Sequence, residues 1–204
     1  MKPGRLAHGW SWVTEATWLP DLRTALRQAV RAIPAVIARR IGPCQIEITR
    51  LSPEIRSRWE LGQDMTSISV QASLADPHEI VLEVLLCTGQ ILWERATEDE
   101  IRGYLLLLHA EIAQNLPGEI DEEVWEKKQA LLTTRWRARS LRALLDYAKA
   151  SFAATVAEYI HALWHDVTVR SGPEFLPPEA VRQRLLWMAQ HYPPNPGYQL
   201  FAEE

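Results

Sequence analysis

The chain is poor in the residues that most readily announce a chemistry. It has two cysteines, Cys44 and Cys87, among 204 residues. They stand in no Cys-x-x-Cys or zinc-ribbon spacing, so neither a disulfide framework nor a redox motif is written here. A reduced, cytoplasmic protein is the expectation. Nine glycines build no glycine-rich phosphate loop, and the Gly-x-Ser-x-Gly nucleophile elbow is missing. No apolar run nears the roughly 20 residues of a membrane helix; the longest, 104–108, is short and flanked by charge. The opening residues lack the apolar core of a signal peptide. An excess of base is lacking too: the net charge of −4 makes nucleic acid an unfavoured main partner.

What is present suits one domain spanning 1–204, because a chain of this length with 47% hydrophobic residues can bury a sizeable core. Tryptophan is abundant at nine. Trp10, Trp12 and Trp18 crowd an N-terminal segment, 1–20, and are expected to pack it onto the body, since indole buries a large area. The competing use of such a patch is a protein partner or a homo-oligomer.

Apolar periodicity gives the elements. Leu22, Leu26, Val30, Ile33, Ile37 and Ile41 form one stripe after Asp21, a candidate N-cap, with Pro34 as a break and Gly42-Pro43 as the end. Cys44, Ile46 and Ile48, and later Ile68, Val70 and Ala72, alternate with polar residues, which predicts strands over about 44–50 and 67–73. Between them Ser52-Pro53 predicts a short helix. Asp76-Pro77-His78-Glu79 is a helix start with Glu79 placed for a capping box. The helix over about 77–94 is apolar on nearly every side and is predicted to be central and buried. Thr97 and Glu100 form a second capping box. From 121 to 166 the pattern is helical without Pro or Gly, and a break is expected near Ser140 or Ser151, because one helix of that length would span about 69 Å. Pro178 opens a last helix, and a proline-rich tail, 192–204, is predicted to lie extended, pinned by Tyr192, Tyr198 and Phe201. The fold class expected is α+β and predominantly helical, with a small sheet packed by the buried helix.

This order of helix, strand, strand, buried helix and later helix resembles the zincin-like metallopeptidases. In that family a helix after the sheet carries His-Glu-x-x-His, and a later helix supplies a third ligand. The resemblance lays the first motif on Leu86-Cys87-Thr88-Gly89-Gln90, where only the glycine preceding the second histidine agrees, followed by Trp93-Glu94 in the family's aromatic-acid style. It lays the third ligand on Ala154, within Ser151-Phe152-Ala153-Ala154. What the resemblance implies is a zincin-like scaffold without its zinc ligands, a pseudoenzyme with no catalytic residue to carry over. His78-Glu79 begins like the motif, but Leu82 replaces the second histidine and Glu79 is accounted for as a capping residue.

Three clusters remain. Glu158, His161 and His165 follow one another at spacings of three and four, so they share one helix face and could hold zinc or iron, with His109 and Glu111 as possible further ligands. This defines the alternative of a metal-dependent hydrolase or oxidase; against it stands a plain polar face near a helix end, and no cofactor is the simpler expectation. His165-Asp166 also resembles the pair of the HD phosphohydrolases, although that family's further ligands have no counterpart at fitting distances. Arg135, Arg139 and Arg142 share a face of a basic stretch over 127–142 and could touch a polyanion. Acidic residues from Glu119 to Glu126 precede them on the predicted helix, and such neighbours cancel much of the field. The expectation is a non-catalytic protein acting through a partner or ligand.

Overall fold

The computed structural model describes residues 3–14, 21–74, 76–133, 141–165 and 172–201. Among them are five strands: β1 (Gly4–Arg5), β2 (Ser11–Thr14), β3 (Cys44–Thr49), β4 (Ser57–Leu61) and β5 (Thr66–Gln71). The helices are α1 (Leu22–Ala32), α2 (Ala35–Ile41), α3 (Pro77–Glu94), α4 (Glu98–Ala113), α5 (Glu122–Thr133), α6 (Leu141–Ala162) and α7 (Pro178–His191). The architecture is α+β and predominantly helical, as the periodicity predicts.

The strands form one mixed sheet in the order β1-β2-β3-β5-β4. β2, β3 and β5 run parallel, and β1 and β4 are antiparallel at the two edges. Parallel neighbours need a long connection, and α1 and α2 supply it between β2 and β3. On β3 burial alternates, with Cys44, Ile46 and Ile48 turned into the core. β5 lies between β3 and β4 and is buried on both faces except at Ser67.

Several local expectations are corrected. Ser52-Pro53 opens a turn, closed by the Ile55 N–H on the Ser52 carbonyl at 2.9 Å, not a helix. The chain then enters β4, which the pattern does not reveal because an edge strand buries little and its apolar alternation is faint. β1, the opposite edge strand, and its neighbour β2 are likewise short, of two and four residues, inside the tryptophan-rich segment. Asp21 makes no side-chain cap; its backbone carbonyl, not its carboxylate, accepts from Thr24 and Ala25. On α3 Asp76 does cap, accepting from the His78 N–H at 2.8 Å, but Glu79 turns to Arg56, 3.7 Å away, instead of closing a capping box. The Thr97–Glu100 box on α4 is complete. α6 passes through Ser151 unbroken, so the expected break does not fall there. Ser140 itself lies outside the described residues.

α3 is the centre. Ile80, Val84, Leu85, Ile91 and Leu92 are fully buried, and the helix packs most extensively against α6, then against α1 and the sheet. α3 and α6 approach closely at Gly89, where a Cβ would stand 2.7 Å from the Ala153 Cα and carbonyl oxygen. Trp10 is buried and donates to the Gly42 carbonyl at 3.0 Å, anchoring the N-terminal segment as expected. Trp12 is half-buried, and Trp18 lies outside the described residues. The tail is pinned as well. Asn195 accepts from the Ala35 N–H at 2.8 Å and donates to the Ile33 carbonyl at 2.8 Å, so a residue 160 positions away serves the α1–α2 break.

Candidate functional site

The α3–α6 crossing is where the resemblance would put zinc ligands. Leu86 and Gln90 lie one turn apart on α3, both half-buried, and Ala154 of α6 is 3% exposed beside the Gly89–Ala153 contact. The Gln90 Oε1 accepts from the Trp59 Nε1 of β4 at 2.7 Å. Lys149 on α6 pairs with Glu94 and sits 5.7 Å over the Trp59 ring. The crossing is therefore closed by an amide–indole bond and an ion pair. Glu83, a turn before Leu86, is held by the Arg56 Nε at 2.6 Å and the Ser57 hydroxyl at 2.7 Å. Burial pushes the Cys44 and Cys87 thiols up to about 12, so neither is a ready thiolate.

At the N-terminal end of α3 the same helix pair is polar. His161, in the last turn of α6, is 4% exposed. His165 follows one turn later and is exposed; its N–H on the His161 carbonyl at 3.0 Å continues the helical turn. The structure adds His78, at the second position of α3. Its Nε2 is 2.9 Å from the His161 Nε2. The ring centres lie 5.0 Å apart for His78–His161, 5.2 Å for His78–His165 and 5.0 Å for His161–His165. Trp164 borders the group, 5.6 Å from His161 and 5.8 Å from His78. The spacing of His161 and His165 was legible. Nothing in the sequence signals that His78, 83 residues earlier, meets them. Among the described residues, no three His, Cys, Asp or Glu side chains are already arranged to hold a metal ion.

The other candidate ligands lie on α6 and α4. Glu158 is half-buried on α6, one turn before His161, and His109 is exposed on α4. Glu111 is committed to a buried ionic network. The Arg184 guanidinium of α7, with no exposed surface, donates to both Glu111 oxygens at 2.8 and 2.6 Å and to both Glu119 oxygens at 2.8 and 2.9 Å. It also donates to the Ser151 hydroxyl at 2.8 Å. Lys128 donates to the Gly118 carbonyl at 2.8 Å and stands 3.2 Å from Glu119, which also accepts from Tyr147. Burial pushes the Glu119 carboxyl up, but Arg184, Lys128 and Tyr147 outweigh it and hold it below its ordinary value. Burial lowers Lys128 despite Glu119. The two cations and two anions balance, which makes this a structural cluster with its donors used. Arg184 stands one helical turn from each of Ala180 and Met188, both buried; a lone arginine in such an apolar row is the sequence signal for it.

Of the basic face, Arg135 and Arg139 lie outside the described residues. Arg142 is exposed, 3.9 Å from Asp146. Lys127 pairs with Glu123. None of the α-helices is long and apolar enough to cross a membrane, among the described residues. No protein family, no curated protein and no solved structure matches the chain.

Proposed function

We propose that the chain is a zincin-like domain that works by binding and not by peptide cleavage. The observation that carries this reading is the α3–α6 crossing. Leu86, Gln90 and Ala154 stand where the resemblance asks for two imidazoles and a carboxylate, and an aliphatic chain, an amide already bonded to Trp59 and a methyl group offer an ion no adequate donor set. Gly89, where α3 and α6 approach closely, also fits such a scaffold.

Grafting tests it. A chain carrying Leu86→His, Gln90→His and Ala154→Glu together gains one zinc per molecule on this reading, measured by elemental analysis with the His78→Ala change added so that no imidazole at the α3 N-terminus contributes. A folded graft that takes no zinc would mean the crossing lacks zincin geometry. Hydrolysis of unstructured peptides by the unaltered protein would remove the binding-only part of the reading.

A further inference from the structure

We infer that His78, His161 and His165 form a binding site for one divalent transition-metal ion of the zinc, cobalt, nickel or copper class. The site is separate from the α3–α6 crossing and does not rest on the zincin-like reading. His78 lies eight residues before Leu86, about 12 Å along α3.

Imidazoles that share one ion at about 2.0–2.1 Å through nitrogen, in tetrahedral array, hold their ring centres roughly 5 Å apart. All three pairs here meet that spacing, at 5.0, 5.2 and 5.0 Å. Two ligating nitrogens are already together, His78 and His161 Nε2 at 2.9 Å. Without an ion this pair must share a proton, one ring donating and the other neutral to accept. Replacing that proton by a divalent cation lets both nitrogens act as donors.

His165 is the remaining step. Its ring lies stacked on His161 with an interplanar angle of 19°, and no three-donor set is preformed among the described residues. It is exposed, and a side-chain rotation is the change the site requires of it. The backbone on either side is set: Asp76 caps α3 at His78, and the α6 turn continues through His165. Burial is graded from His161 to half-buried His78 to exposed His165, so solvent reaches one side and can supply the fourth donor. Three nitrogen donors select borderline ions over magnesium or calcium, which prefer oxygen.

The test is a cobalt titration of untagged, full-length protein followed by visible absorption, with zinc and then magnesium as competitors. One cobalt per chain is expected, displaced by zinc and indifferent to magnesium. His78→Ala, His161→Ala and His165→Ala should each weaken binding at least about tenfold, and His109→Ala should leave it unchanged. Absence of stoichiometric cobalt binding overturns the proposal. So does unchanged affinity in both His78→Ala and His165→Ala, two variants at incompletely buried positions that keep the test decisive should the His161 variant not fold.

Discussion

Two polar sites hang on α6, and they differ in how far they are closed. Around Arg184 every charge meets its opposite, the guanidinium is saturated by two carboxylates and a hydroxyl, and solvent is excluded. Around His161 three like groups face one another, and the outermost is open to water. A buried arginine with matched acids holds helices in register and can bind nothing more. A cluster of imidazoles with an open side gains by taking a cation. Burial and charge balance, not polarity alone, separate the structural cluster from the candidate site.

The comparison can be broken at its closed half first. Arg184→Leu leaves Glu111 buried without its cation and Glu119 with Lys128 alone, and should cost about 3–5 kcal/mol in urea unfolding, or prevent folding. A loss under ~1 kcal/mol would show that the network does not bind α4, α6 and α7 together. Next comes the open half. Zinc at roughly 100 times its dissociation constant should stabilise the unaltered protein by about 2.7 kcal/mol and the His165→Ala variant by far less, read as the shift in thermal midpoint.

Acid acts on the partnered carboxylates. Glu119 is held below its ordinary value, and Glu100 is lowered to about 2 because hydrogen bonds from Arg40 and Thr97 outweigh the burial that raises it. A depressed carboxyl contributes stability above its unfolded value of about 4.3 and loses it as pH falls through the folded value. Unfolding stability should therefore fall between roughly pH 4.3 and 2, less steeply in Glu119→Gln. Removing Tyr147's hydroxyl in Tyr147→Phe should cost about 1 kcal/mol. The smallest effect belongs to His165→Ala without metal, under about 0.5 kcal/mol, as for an exposed residue.

Much of the frame was legible. The period of two in Cys44, Ile46 and Ile48 and the period near 3.6 from Ile80 to Leu92 report burial on one face or on all, and neither needs a partner to be named. Caps at Asp76 and Thr97 are local for the same reason. β4 escaped because its outer side faces solvent, so Ser57 to Leu61 carries little apolar signal. Glu111 reads as a possible ligand on the helix surface until Arg184, 73 residues later, claims it.

Residue identities and local periods alone give the α+β class, the buried α3 and the one-turn spacing of His161 and His165. Those properties depend on side-chain type and on neighbours within a few residues. Only the tertiary structure decided that His78 meets His161 and that Arg184 meets two glutamates, because these contacts are set by how α3, α4, α6 and α7 pack against one another. Packing is fixed by the whole core, through close approaches such as Gly89 on Ala153, and no short window of sequence contains it.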